Sequence, residues 1–293
     1  MGCSTGDPSR KLATYIIICY NHITTAVFQF DPYKDGGVRV KKTKIIAIGG
    51  GSVAVPCAPA STLAIDEEAI LLAASELPVG RETVNVLFIP TASKDDLWYC
   101  HGIYTHFHLR LGCNYDHLRL LGRVPRLGVI AEKIAWADII YVGGGNTRDM
   151  MNVWRITGVS AMLGRAHKEG KVLMGLSAGS ICWFEAGLSD SNKFDGDAHW
   201  KPMWVSGLGF VPLLNSPHIN SEQWRTRELA RLLKVGGLMK PVVALEDNAA
   251  MEVVGGRYRI INSVTGRGAY LYRGTTRFRL AAGEEFRPLE LLM

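Results

Sequence analysis

The stretch "VLMGLSAGSICWF" (172–184) joins two apolar segments at a glycine-flanked serine. An apolar run from Val172 to Met174 breaks at Gly175-Leu176-Ser177-Ala178-Gly179, and a second, mostly apolar run from Ser180 to Phe184 comes at once. A short apolar run ending in glycine reads as a buried parallel strand, and the run behind it as a helix packed on the same core. Gly-x-Ser-x-Gly between a strand and a helix is the nucleophile-elbow pattern. The turn is sharp, glycines on either side let other backbone approach, and the serine hydroxyl is held clear of the sheet. The N–H of Ala178 then points to where an oxyanion would form, and the helix N-terminus adds favourable potential for negative charge.

Up to and through this stretch, strand and helix alternate five times. Strands are expected at 44–50, 84–92, 116–122, 138–146 and 170–177, with helices at 61–77, 97–111, 127–137 and 147–169. That rhythm predicts an α/β fold, a parallel sheet flanked by helices on both faces. Ligand sites in such sheets lie at the carboxyl ends of the strands. Three glycine-bearing strand ends qualify, at 49–51, 143–145 and 175–179. Beyond residue 220 the spacing predicts a helix over 221–234 and short strands within 241–247, 249–262 and 268–274, with Gly255-Gly256 as a hairpin turn. Residues 1–43 lack the rhythm of the rest of the chain. They read as an N-terminal extension containing a strand or hairpin, with "DPYKDGG" (31–37) as a turn or linker, ahead of one α/β domain over 44–293.

Composition narrows the class. Of 293 residues, 47% are hydrophobic and 20% charged, which is ordinary for a globular chain with a large core. The net charge of +6 is spread along the sequence, so a solvated basic face is expected and no nucleic-acid partner. No apolar run approaches the roughly 20 residues that cross a bilayer, and no membrane partner is expected. "MGCSTG" (1–6) carries Gly6 where a myristoylation signal wants Ser or Thr. The six cysteines form no C-x-x-C pair, and their spacing suggests neither a metal site nor a disulfide framework; a reducing cytoplasm fits best.

A serine nucleophile needs a base. Of eight histidines, His101, His106 and His108 cluster in "HGIYTHFH" without matching acids and read as a helix face or loop, while His117 and His167 lie in charged, surface-like contexts. His218 differs, because "LLNSPHIN" (213–220) takes a strand end straight into Ser-Pro-His. Pro217 breaks the strand there and leaves His218 on a strand-end loop. The orienting acid is sought in the loop-like segment "EAGLSDSNKFDGD" (185–197), where Glu185, Asp190, Asp195 and Asp197 are all open. In "YVGGGNT" (141–147), one N–H of Gly143, Gly144 or Gly145 would supply the second oxyanion donor. The absence of a Walker lysine there argues against a nucleoside triphosphate.

"YVGGGNT", "GLSAGS" and "SPHIN" with "TRE" (226–228) behind it together resemble the peptidase E family of serine peptidases, which includes aspartyl dipeptidases and cyanophycinases. The resemblance covers roughly residues 44–273. It implies a fold like that of class I glutamine amidotransferases, with a flavodoxin-like parallel sheet and short C-terminal strands. It implies Ser177 as nucleophile and His218 as base, with Ala178, Gly143, Gly144 and Gly145 around the oxyanion. Asp190 in "LSDSN" is the best match to the family's acid, with Asp195 open. Arg227 matches the arginine that holds an acidic substrate side chain in aspartyl dipeptidases. The implied activity is hydrolysis of small peptides, dipeptides with N-terminal Asp among them, without metal or cofactor, and with a homodimer left open.

Two other readings stand beside it. "GGGSVA" (49–54) fits a dinucleotide fingerprint, although Pro56 would disrupt the helix that must begin there and "VLFIPTA" ends without the ribose-binding acid. The same fold could also serve as a catalytically silent, amidotransferase-like binding protein.

Overall fold

The computed structural model describes residues 41–53, 60–196, 198–238 and 240–293, together with the backbone of 13–19 and 22–28. The "MGCSTG" start, the "DPYKDGG" segment, Pro56 and Asp197 lie outside the described residues. In the N-terminal part, β1 (Ala13–Cys19) pairs antiparallel with β2 (His22–Phe28).

The alternation read from the sequence builds one large sheet. Its elements run β3 (Lys44–Ile48), α1 (Leu63–Ala74), β4 (Asn85–Ile89), α2 (Leu97–Tyr104), β5 (Asn114–His117), α3 (Leu127–Trp136), β6 (Ile139–Val142), α4 (Thr147–Ile156), α5 (Val159–Lys168) and β7 (Val172–Leu176). A π-helical stretch, Thr105–Arg110, continues α2. The remaining elements are α6 (Ala178–Ile181), β8 (Phe184–Ser189), β9 (Met203–Ser206), β10 (Val211–Ser216), α7 (Gln223–Lys234), β11 (Val242–Leu245), β12 (Ala249–Val254), β13 (Arg257–Asn262), β14 (Gly268–Arg273), β15 (Thr276–Ala281) and β16 (Arg287–Pro288). The eight-stranded sheet has the order β16-β13-β12-β3-β7-β6-β4-β5. Strands β3, β7, β6, β4 and β5 are mutually parallel, and β12, β13 and β16 extend the sheet antiparallel.

Near-continuous apolar strands are what a sheet covered on both faces requires. Successive residues do enter different cores. Ile45, Ala47, Leu87, Ile89, Ile140, Val142 and Leu173 pack with α3, α4 and α5. Ile46, Ile48, Val86, Phe88, Ile139, Tyr141 and Met174 pack with α1 and α2. Each fully buried aliphatic side chain of this kind contributes about 1.5–3 kcal/mol.

The sheet is therefore mixed rather than wholly parallel, and a second sheet accompanies it. That sheet has six strands in the order β15-β14-β11-β10-β8-β9, with β10 parallel to both β8 and β11. One of its faces, through Phe184, Val211, Leu213, Val243 and Leu271, joins the core under α4 and α5. The other, through Leu188, Val242, Ala244 and Tyr272, is covered by Leu229 of α7.

The helix expected behind the elbow is a single turn. After Ile181 the backbone is claimed by strand neighbours: Leu208 N–H donates to the Cys182 carbonyl at 2.8 Å, and Val211 N–H to that of Trp183 at 3.0 Å. Part of the expected loop at 185–197 is accordingly strand β8. The third parallel strand also lies earlier than 116–122. Past His117 the chain is drawn off the ladder by the Asp95 carboxylate, which accepts from the N–H groups of Leu120 (2.7 Å) and Leu121 (2.6 Å).

Candidate active site

Three strand ends converge at the carboxyl edge of β7. Ser177 sits immediately beyond that strand with φ 58° and ψ −109°, a backbone state that costs a non-glycine residue energy and is held by its surroundings. Its N–H donates to Ile48 O of the neighbouring β3 at 3.1 Å, and its own carbonyl accepts from Ser180 (2.9 Å) and Ile181 (3.0 Å). The flanking glycines are demanded by close backbone packing. A Cβ on Gly175 would lie 2.3 Å from Gly179 O, and one on Gly179 would lie 2.1 Å from Val142 O.

His218 lies just past β10 with φ 55°. Its loop is pinned to both sheets: His218 N–H donates to Gly49 O (3.0 Å), beyond β3, and Ile219 N–H to Leu245 O (3.1 Å), at the end of β11. This pinning carries the imidazole over the elbow. Nε2 lies 2.8 Å from Ser177 Oγ, and Nδ1 lies 2.7 Å from Asp247 Oδ1. An ionised carboxylate can only accept, so Nδ1 carries the proton and Nε2 is left to accept from the serine hydroxyl. Burial tends to raise the Asp247 carboxyl, but hydrogen bonds from His218 and Ser221, the attraction of His218 when it is protonated and that of Arg267 outweigh it and hold the group below its ordinary value. Asp247 N–H is fixed in turn by Asn220 Oδ1 at 2.7 Å.

Among the described residues of the segment behind the elbow, Glu185, Asp190 and Asp195 do not meet the histidine. Asp190 lies 4.0 Å from Arg225, Asp195 forms a two-pronged pair with Arg148 (2.9 and 2.6 Å), and Glu185 pairs with Lys240. Asp190 comes directly after β8, and its cation is buried deeply enough to need it: Arg225 is 2% exposed, with Glu222 at 2.6 Å and the Leu188 carbonyl as further partners. Asp247 escapes a search of that segment because it comes from the second sheet. Its signal is the strand-to-acid ending "VVALED" (242–247), of the same form as the ending that singles out His218.

The glycine-rich ends have separate uses. Gly143 N–H is spent on Ile89 O (3.3 Å), and Gly145, at φ 137°, packs on Ala92 O, where a Cβ would lie at 2.1 Å. Gly144 faces Ser177, since a Cβ there would be 3.4 Å from Ser177 Cβ. Ala178 opens α6, where an N–H has no acceptor within the helix. Gly50, in the run that fits a dinucleotide fingerprint, lies under the His–Asp pair: a Cβ would be 2.0 Å from Asp247 Oδ1 and 2.4 Å from His218 Nδ1. The space beside Gly50 is thus taken by side chains of this protein. Arg227 is exposed on α7, whose inward face is formed by Arg225 and Leu229, and no contact ties Arg227 to Ser177 or His218. Of the histidine cluster, His106 is buried against Asp66 at 2.9 Å and His108 bonds the Cys113 carbonyl. Among the described residues no group of three or more His, Cys, Asp or Glu side chains could hold a metal ion, and no helix is long and apolar enough to cross a membrane.

Comparison with known proteins finds similarity to peptidases. The family model described as Peptidase family S51 matches residues 67–261. The uncharacterized peptidase YgaJ of Bacillus subtilis (strain 168) is 32% identical over 229 residues, covering 78% of this chain and 90% of that protein. Peptidase E of Shewanella denitrificans is 30% identical over 162 residues, 53% of this chain and 66% of the relative. The crystal structure of a peptidase from an acI-B1 Actinobacterium superposes with a TM-score of 0.64 at 16% identity, covering 85% of this chain and 98% of that one, a likeness of fold.

Proposed function

The chain belongs to peptidase family S51 and is a serine-type peptidase; from that premise we propose that it hydrolyses small peptides through Ser177, His218 and Asp247. The observation that carries the reading is the unbroken relay from Ser177 Oγ to His218 (2.8 Å) to Asp247 (2.7 Å). Ser177 attacks the scissile carbonyl while His218 Nε2 takes its proton. The imidazolium is stabilised by Asp247, which stays ionised, and the same proton goes to the leaving amine as the acyl-enzyme forms. Water then repeats the sequence and releases the acid. The negative oxygen of each tetrahedral intermediate is met by the N–H groups of Ala178 and Gly144, with the dipole of the surrounding backbone already oriented.

The substrates proposed are dipeptides and other short peptides, with an N-terminal Asp among those accepted. Support for the acidic preference is the family match of Arg227 together with its place on the helix that comes after His218. Among the described residues it has no ion pair that a substrate carboxylate would need to displace. A dipeptide library hydrolysed by wild type and Ser177→Ala side by side tests the reading. Turnover that depends on Ser177 supports it, and equal turnover by a folded Ser177→Ala protein removes it.

A further inference from the structure

Gly144 has a second neighbour besides the nucleophile. Helix α2 starts at Leu97, and the Asp96 side chain caps it by accepting from Tyr99 N–H at 2.6 Å, which fixes the first turn. The Tyr99 ring stands edge-on to Phe88, centroids 5.0 Å apart, at the carboxyl end of β4. It passes directly over Gly143, where a Cβ would lie 2.8 Å from Tyr99 Cε1. The absence of a side chain at 143 is what admits the phenol. The hydroxyl then reaches Gly144, whose N–H donates to it at 3.4 Å. Gly144 thus neighbours both groups, with Ser177 beside its α-carbon and the Tyr99 hydroxyl as the acceptor of its N–H.

Two properties of that hydroxyl bear on chemistry. The bond from Gly144 uses only its acceptor capacity, so its own proton remains available to donate. Burial, partly offset by the Gly144 bond and reinforced by the charge of Asp66, pushes the phenol up to about 12, so it stays protonated throughout the neutral range. The Gly144 bond is also long for an N–H donor, so little is lost when that N–H turns to a stronger acceptor.

We infer that Tyr99 is a catalytic residue of the oxyanion pocket: its hydroxyl holds the Gly144 N–H in the resting enzyme and donates a hydrogen bond to the tetrahedral oxygen alongside Ala178 and Gly144. No proton is transferred; the O–H bond persists and only its acceptor changes. This inference rests on Ser177 being the nucleophile. It makes Tyr99 a donor whose worth is realised only when charge appears on the substrate oxygen, so its loss should lower kcat rather than raise KM. A tyrosine kept only for packing would behave differently, because the ring contacts with Phe88 and Gly143 survive when the hydroxyl alone is removed.

Tyr99→Phe tests this directly. The measurements are kcat and KM on a peptide the wild type cleaves, and the affinities of two inhibitors. One is a peptide aldehyde, which forms a tetrahedral adduct with Ser177; the other is the planar hydrolysis product. The expected result is a loss of about 10²-fold in kcat and in aldehyde affinity, with KM and product affinity within about threefold of wild type and an unchanged melting temperature. The inference is overturned if kcat and aldehyde affinity stay within about threefold of wild type, or if product affinity falls as far as aldehyde affinity. If wild type cleaves peptides through Ser177 and Tyr99→Phe matches it, this inference alone fails. If wild type neither cleaves peptides nor reacts at Ser177, the peptidase mechanism fails and this inference with it.

Discussion

Asp247 meets His218 across 29 residues of sequence, Oδ1 to Nδ1 at 2.7 Å, and does so from a different sheet than the one that carries Ser177. The relay is assembled by the junction of the two sheets. Ser177 lies just past β7 of the first, His218 just past β10 of the second, and Asp247 just past β11, beside β10.

Asp247→Asn should therefore slow the reaction of Ser177 with a fluorophosphonate by roughly 10²–10⁴-fold while leaving the fold intact, because the imidazole loses its oriented tautomer. Asp190→Asn should leave that rate within about threefold of wild type and lower the melting temperature instead, since it removes a countercharge from buried Arg225. Labelling kinetics on both variants check this. The reverse ranking would return the acid's role to the loop behind the elbow.

Gly50→Ala should abolish hydrolysis with little change in stability. The added methyl would stand 2.0 Å from Asp247 Oδ1 and 2.4 Å from His218 Nδ1, and both are ends of side chains that can swing aside. Moving them restores the packing and destroys the alignment, at an expected loss of at least about 10²-fold in kcat. Wild-type turnover by this variant would mean that the pair tolerates displacement.

Arg227→Ala tests the acidic preference. If Arg227 meets a substrate carboxylate, wild type should favour aspartyl over asparaginyl dipeptides, and the variant should lose about 10²-fold of that preference with neutral dipeptides hardly affected. Competition between the two substrates measures it. A wild type indifferent to the acidic group would leave Arg227 as a solvent-facing residue of α7.

Stability should depend on pH through Glu252 of β12. Burial raises its carboxyl to about 7, against the attraction of Arg259, which Glu68 and Glu284 share. The folded state thus holds the proton more tightly than the unfolded one. The stabilising contribution is complete below the ordinary value of 4.5 and is lost as pH rises through about 7. Chemical denaturation of Glu252→Gln between these limits should show a slope shallower than wild type by up to about 1.4 kcal/mol per pH unit. An unchanged slope would mean that Glu252 stays ionised throughout.

How far the molecule can be read from its sequence depends on the range of each signal. The parallel half of the large sheet is legible because each βα step is local, an apolar run leading into helical spacing. Ser177 and His218 are legible because each stands at a strand end marked by glycine or proline. Asp247 is not, since no local pattern says that β11 will lie beside β10. The single turn of α6 is hidden for a similar reason: "SICWF" is apolar enough for a helix, and only pairing with residues 208–211 takes its backbone away. The glycine run 49–51 marks a strand end in the sequence, but nothing local says that His218 and Asp247 will close over Gly50.

The most direct measurement is the site of covalent attachment of a fluorophosphonate to the native protein, located by mass spectrometry, with peptide hydrolysis followed in the same samples. The expected result is a single adduct on Ser177, absent from Ser177→Ala, and a loss of at least about 10³-fold in hydrolysis by that variant. A folded wild-type protein whose Ser177 stays unmodified, or a Ser177→Ala variant that still cleaves peptides at the wild-type rate, would contradict it.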